Sequence, residues 1–544
     1  MAGRASERQR SCGVRMSEGK DCHRPIHSAP EHDPTPVCLM HSIDPSKSDR
    51  EFQAEFERIL SHAERSGGTA DFSEFQFSFS DYAGRTFPVV CDFSNARFVH
   101  EANFFAVSFT HKVDLSGATF EQVANFHQVT FMQEADFTAV TFTGEAVFQN
   151  ATFTLEVIFY GATFEQRADF YETTFTENAG LNGTTFLKEA IFSKGTFTKE
   201  AGFGHASFVQ EAIFGEATFT READFTWSTF AKNANFSDTN FLDWVGFEGA
   251  VFLESASFRG THFRNQLAMK LGLQFTNAKL EHPEHIEFYQ TDLSQALFYN
   301  TDVSKLDFTQ VRWRERRNRF SLFEEVVPLE DAGNLVPLSN SPDERNYGLI
   351  AKTYQQLKRN YDGKGDYWTA GHFHYGEMEM LRLHSGFRLR PLRWLAQNLS
   401  LTALYRYGSA YGESVKRPLA WLAAIVLMFA LLFPLAGLAV NPNQGEMGLT
   451  GWQVDYWNAG QFFQQHQSEN PVPRWVRWMT WDNAAVPLLV HSEMTALSVA
   501  GFQKELRYSP AYPWGRALAL LELLLTTTLG GLFLLAIRRQ YKRS

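Results

Sequence analysis

Three cysteines and a histidine near the N-terminus are the residues best suited to chemistry in this chain: Cys12, Cys22, Cys38 and His41, within SCGVRMSEGKDCHRPIHSAPEHDPTPVCLMHS. Thiolate and imidazole are the ligand types that hold Zn2+ in a tetrahedral site. Cys38 and His41 form a Cys-x-x-His knuckle whose spacing lets both reach one ion, and Cys12 and Cys22 complete four ligands. His23 and His27 are alternatives to Cys12, because a long, Pro-containing gap separates Cys22 from Cys38. The expectation is a structural zinc; the competing reading is a leader whose cysteines are incidental. Only Cys91 lies elsewhere.

Other candidates are weaker. His374 and Glu377 lie one helical turn apart, but His372 points to another face and no third ligand is evident, so a polar helix surface explains them better. Glu522 interrupts a long apolar run, where an ionisable group is a functional hypothesis by default, yet it sits near Arg516 and can serve as an interfacial anchor. There is no Gly-rich phosphate loop, nucleophile elbow or recognisable carboxylate pair. Thr and Ser are abundant for turns. No catalytic residue is expected, and the chain reads as non-enzymatic.

The elements that must position these groups are written in phenylalanine. In EADFTAVTFTGEAVF the rings fall at Phe137, Phe142 and Phe148, at gaps of five and six. Steps of eleven extend one series through Phe126, Phe137, Phe148, Phe159 and Phe170, and a second through Phe131, Phe142, Phe153, Phe164 and Phe175, from Phe104 to Phe263 without a slip. Repeats of this kind are the first thing to test for. A continuous helix with period eleven is excluded by the intervening Thr, Gly, Asn, Ser and Asp. A flat strand is excluded because residues five apart face opposite sides. Small residues such as Ala135, Val140, Ala146 and Ala151 precede the rings by two, as a narrow solenoid interior requires.

The repeated unit resembles the pentapeptide-repeat family: a small residue, any residue, Leu or Phe, then two polar residues, over about 82–308. The resemblance implies a mainly β solenoid, a right-handed quadrilateral parallel β-helix, about 50 Å long if two elevens make one coil. Every second unit carries an extra residue, often Glu before Ala as in QEADF and KEAIF, expected to widen a corner. Pure fives return at Phe288, Leu293, Phe298, Val303 and Phe308, expected to change the cross-section. Residues 1–45 resemble the small Cys/His knuckles that precede other pentapeptide-repeat domains, and 46–81 are expected to supply a capping helix through Phe52, Phe56 and Leu60. Acidic residues outnumber basic ones on the outer positions. A DNA mimic, as in gyrase-protecting members of the family, is one reading; a solvated exterior is the plainer one, and a nucleic-acid partner is not expected.

Two apolar stretches, 418–440 and 515–537, are long enough to cross a bilayer. Basic residues before the first (Arg406, Lys416, Arg417) and after the second (Arg538, Arg539, Lys542, Arg543) place both termini in the cytoplasm at the inner membrane and 441–514 outside. No signal peptide opens the chain, so the first span is expected to be its own insertion signal, and a reducing cytoplasm keeps the thiols free for metal. The module distantly resembles two-helix pore-loop channels. At the filter position it reads TALSVAGFQKELRY, keeping Gly501 and Phe502 but lacking the second Gly and the acidic residue behind it, so potassium selectivity is not implied. Trp475, Trp478 and Trp481 suit an interfacial helix. A linker over 309–417 contains a helix through Tyr347, Ile350, Tyr354, Leu357 and Tyr361, broken at Gly363 and Gly365, and a second with Tyr367, Ala370, Phe373, Met380 and Leu381. The basic run RWRERRNRF is expected near anionic lipid. The function read from these parts is a two-pass, membrane-anchored scaffold or sensor with an unidentified protein partner. The alternatives are a homo-oligomeric channel gated by the solenoid and a DNA-mimicking inhibitor.

Overall fold

A computed structural model describes residues 11–16, 19, 21–27, 32–33, 35–263, 271–326, 346–384, 390–436, 438–440, 495–500, 508–510 and 513–541. The chain divides into two compact units, Met1–Lys364 and Gly365–Ser544.

The first unit is built on a four-sided parallel β-solenoid of about eleven coils, with faces of eleven, ten, ten and nine strands. One coil runs Ala135–Asp136, Thr141–Phe142, Ala146–Val147, Thr152–Phe153 and returns at Val157–Ile158. Each strand pairs with its equivalent one coil on, two elevens along the chain, as Ala135 with Val157 and Phe142 with Phe164. The register puts like on like, so the rings stack. Phe126–Phe148 and Phe148–Phe170 centroids are both 4.8 Å apart, with planes 4° and 2° from parallel. Phe137–Phe159, Phe142–Phe164, Phe131–Phe153 and Phe153–Phe175 stack likewise at 4.6 to 5.2 Å. All ten rings of the two series named above are buried, as are the small residues two before them. Burying each ring contributes on the order of 1.5–3 kcal/mol, which lets a tube with no layered core hold together.

The alternation of five and six is an alternation of corners. After Phe137 and Phe148 the chain turns through a left-handed residue, Ala139 at φ 53° and Asn150 at φ 56°. At the next such corner the position is Gly161, φ 65°, where glycine adopts that conformation without strain. The extra residue of the six-residue gap makes a three-residue bend, such as 143–145, that needs no left-handed residue. There Gly144 stacks so closely on the coil before it that a Cβ would lie 2.2 Å from the Gln122 carbonyl. Where Thr replaces the small residue inside a corner, its hydroxyl donates to a carbonyl one coil back, as Thr173 to Phe148 O (2.7 Å) and Thr239 to Phe214 O (2.8 Å), so the buried polar group is satisfied.

Strand pairing begins at Ala70–Asp71, ahead of the expected start at 82. The first coil pairs Ala70 with Cys91 and Phe77 with Phe98, a shorter circuit than two elevens, so its rings fall outside the period. Helix α1 (Asp49–Ser66) caps it. Ser48 accepts from Glu51 N at the start, and Gly67 at φ 65° closes the end. Phe56 stacks on Phe72 at 4.4 Å and on Tyr82 at 5.0 Å. At the other end the pure fives shorten the coil again, so that Phe288 pairs with Phe308 after four fives.

The basic run folds into a hairpin, Arg314–Arg316 against Arg319–Ser321, followed by the short helix α2 (Phe323–Val326). Part of the charge the sequence offers to lipid is committed inward: Arg319, 12% exposed, pairs with Glu325, which also accepts from the Tyr354 hydroxyl at 2.6 Å. Helix α3 (Tyr347–Gly363), read from sequence as part of a connector, closes the last coil. Asn360 donates to Val303 O and Leu306 O, and Trp313 Nε1 donates to Tyr361 Oη at 2.8 Å.

In the second unit, α4 (Tyr367–Leu383) buries Ala370, Phe373 and Met380, whereas Leu381 is exposed. It is followed by α5 (Arg390–Leu399), α6 (Leu401–Ser409), α7 (Lys416–Ala436) and α8 (Pro513–Tyr541). Helices α7 and α8 are long and apolar enough to cross a membrane. The first ends at Ala436 rather than at 440, because Leu438–Val440 is extended and pairs antiparallel with Tyr508–Pro510. Val426, Phe429 and Phe433 of α7 pack with Ala496 and Val499 and with Leu518, Ala519 and Leu523 of α8.

Candidate metal centre

The N-terminal cysteines converge although the outermost ligands, Cys12 and His41, are far apart in the chain. The described residues between 11 and 25 pair as a small hairpin: Cys12 N donates to Arg24 O, His23 N to Cys12 O and Cys22 N to Val14 O. This sets Cys12 and Cys22 on neighbouring strands. The chain then returns through His27 N to Val37 O, and a tight turn in which His41 N and Ser42 N both donate to Cys38 O presents the Cys-x-x-His pair from the other side. Gln76 N donates to Met40 O, which joins the knuckle to the first coil.

The four ligand atoms lie within 4.8 Å of one another. Cys38 Sγ is 3.1 Å and Cys12 Sγ 3.4 Å from His41 Nδ1, and Cys22 Sγ is 3.7 Å from Cys38 Sγ. A tetrahedron with metal–sulfur bonds of about 2.3 Å has sulfur–sulfur edges of about 3.8 Å. The donor set therefore fits one tetrahedral ion. Its electrostatics agree: hydrogen bonding to Cys12 and Cys22 and then burial push the Cys38 thiol well above the ordinary thiol range. Three sulfurs packed this closely cannot all ionise without a cation among them, and a divalent metal stabilises all three thiolates.

His23 and His27 stay outside the cluster. His27 faces Asp44, with Nε2 3.6 Å from Oδ2. Sequence reasoning missed the surrounding shell. Arg24 donates to Cys22 Sγ at 3.2 Å, pairs with Glu55 of α1 at 3.2 Å and lies 5.1 Å over the Phe75 ring, which packs nearly perpendicular to His41. Lys47 donates to Ser42 O at 2.8 Å and to Gln76 O, tying the knuckle to the coil again. Nothing in the spacing of an isolated Arg or Lys announces such a role.

The remaining candidates separate. His374 Nδ1 and Glu377 Oε2 are 3.5 Å apart on α4, and neither belongs to a metal-ligating group among the described residues. Glu522 is fully buried on α8, and neither carboxylate oxygen has a hydrogen-bond partner among the described residues. Gly501, Phe502 and the tryptophans at 475, 478 and 481 lie outside the described residues.

The family model for pentapeptide repeats matches the sequence in nine copies, among them 104–152, 126–174 and 148–196, the coils whose stacked rings are described above. The chain is a pentapeptide-repeat protein. No curated protein and no solved structure matches it. The pentapeptide-repeat match concerns the solenoid, and no comparison supports a likeness of the two apolar helices to channels.

Proposed function

We propose that this pentapeptide-repeat protein is a non-enzymatic, membrane-anchored scaffold or sensor whose solenoid binds a protein partner. The observation that carries this reading is the division between inside and outside. The interior is filled coil after coil by rings and small residues, while an outward column such as Asp114, Asp136, Ile158, Gly180, Gly202, Asp224 passes through acidic, apolar and glycine positions along the same tube. A surface written one coil at a time on a rigid frame suits recognition more than catalysis. The outer acids are interleaved with cations, as in Lys112–Glu134 (2.6 Å) and Arg167–Glu145 (2.8 Å), which disfavours a DNA mimic. By the distribution of Arg and Lys, both ends of the chain lie in the cytoplasm at the inner membrane. The test is crosslinking in intact membranes with the full chain and with Asp114→Lys/Asp136→Lys. A protein recovered with the parent and lost with the variant supports the reading; an identical set from both, shared with an unrelated membrane protein, defeats it.

The knuckle is proposed to hold structural zinc through Cys12, Cys22, Cys38 and His41, fixing the cap on the first coil. Metal analysis of protein purified under reducing, chelator-free conditions should find zinc in the parent and none in Cys38→Ser. A parent without zinc ends the proposal.

A second reading, a homo-oligomeric channel, is favoured by Glu522, a buried carboxylate set among apolar spans. It requires conductance in reconstituted bilayers that Glu522→Gln alters. Electrical silence of the parent removes it.

A further inference from the structure

Helices α5 and α6 carry apolar side chains that the described residues of their own unit leave exposed. Leu392, Leu395 and Leu399 recur on one face of α5, and Leu401 and Leu404 continue the exposure onto α6, with Leu399 63% and Leu401 86% exposed. The other side of this pair is occupied. Gln397 Nε2 donates to Leu383 O, and Arg382 Nη1 donates to Gln397 O at 2.6 Å, turning the polar side of α5 toward the end of α4. Glu379 of α4 accepts from the Tyr411 hydroxyl at 2.9 Å and pairs with Arg406 at 3.4 Å, which locks α6 in the same way.

The level at which this pair lies is fixed by contacts with the two long helices. A Cβ on Gly408 would stand 3.1 Å from Leu532 of α8, and Trp421 Nε1 of α7 donates to Tyr407 O at 3.2 Å. Arg539, at the end of α8, donates to Tyr411 O at 2.6 Å and pairs with Glu413 at 3.1 Å. Leu532 is about two turns, roughly 10 Å, from Arg538 and Arg539. Helix α6 therefore runs where α8 passes from its apolar stretch to its basic end. Trp394 and Trp421, both half or more exposed, are the residue type that favours that depth, and Arg393 and Arg417 suit phosphate headgroups.

We propose that α5 and α6 form an in-plane elbow embedded in one leaflet of the bilayer, with acyl chains covering Leu392, Leu395, Leu399, Leu401 and Leu404. This rests on the reading of α7 and α8 as membrane spans. Through Glu379 the elbow ties α4 to the lipid surface, so a change in leaflet packing is transmitted to α4 through a partly buried ion pair and not through a free linker.

The test uses the full chain in native membranes, with a benzophenone photocrosslinker installed in place of Leu399, Leu401 or, as a span reference, Leu431, which is 63% exposed on α7. Phospholipid adducts at all three positions, identified by mass spectrometry, are the expected result. Lipid adducts at the Leu431 position with only protein adducts, or none, at the other two would overturn the elbow and leave the spans standing. Absence of lipid adducts at the Leu431 position would overturn the membrane reading and the elbow with it.

Discussion

The solenoid body and the knuckle joined to its first coil solve the same problem, ordering a chain, by opposite means. In the body each coil repeats the last, and stability accumulates from neighbour to neighbour through rings stacked at about one strand spacing. In the knuckle no side-chain pattern repeats, and four candidate ligands from three separate segments meet at one point. A repeated structure tolerates local damage by confining it. A structure organised around a point loses everything when the point is lost.

The sharpest way to break that contrast is a cavity in the middle of a ladder. Phe148 stacks between Phe126 and Phe170 and is fully buried, so Phe148→Ala should cost about 3–5 kcal/mol in a denaturant titration followed by circular dichroism. Hydrogen exchange should show the loss centred on neighbouring coils. Uniform loss of protection from the first coil to the last would mean that the body behaves as one block and that the contrast is misplaced.

The second prediction concerns the point. Chelation of metal or Cys38→Ser should release protection across the described residues of 11–48, including the His41 and Ser42 amides that bond to Cys38 O, while coils near Phe148 keep theirs. Joint loss in both regions would show that the knuckle nucleates the solenoid as well as capping it.

These two regions also differ in how far they could be read without coordinates. The period of eleven specified ring burial, small inward residues and wide corners, because each follows from neighbours within a dozen positions and is then repeated. The candidate ligand group was nameable from residue type, but its convergence depends on a hairpin and a turn that bring distant Cys12 to His41, and no local rule records that. The capping role of α3 was hidden for the same reason. Its apolar spacing announced a helix, whereas its partners, Val303, Leu306 and Trp313, lie far back in the chain. The first coil escaped because its shorter circuit put Phe72, Phe75 and Phe77 out of step.

The C-terminal cap offers a gentler probe, since it closes the solenoid with buried polar groups rather than with a metal-ligating group among the described residues. Glu324 is buried with Oε1 accepting from Phe298 N at 2.8 Å, and burial pushes its carboxyl up from 4.5 to about 7. The folded state therefore holds a proton that the unfolded chain releases. The contribution of this group is fully present below about pH 4.5 and is lost as pH rises through about 7, on the order of 1–3 kcal/mol. Glu324→Gln keeps the acceptor and removes the titration, so the variant should gain stability at neutral pH and lose the slope between these values. A parallel slope in both proteins would assign the pH dependence to other groups.

The smallest effect tests whether the outer faces matter to the body at all. Arg167 reaches three carboxylates on successive coils: Glu145 at 2.8 Å, Asp169 at 2.6 Å and Glu189 at 3.4 Å. The two glutamates are well exposed, and pairs of that kind contribute little in water. Asp169 is different, because its side chain is only 1% exposed and its other donors, Tyr171 N at 3.0 Å and Gln149 Nε2 at 2.5 Å, are neutral. Arg167→Met keeps the apolar stem and leaves that carboxylate without its cation, which predicts a loss of about 1–2 kcal/mol. Asp169→Asn in the same background should restore most of it, since the remaining charge is then gone. If Arg167→Met is instead neutral, outward columns can be rewritten coil by coil without disturbing the ladders beneath them, which is the property a recognition surface built on repeats requires.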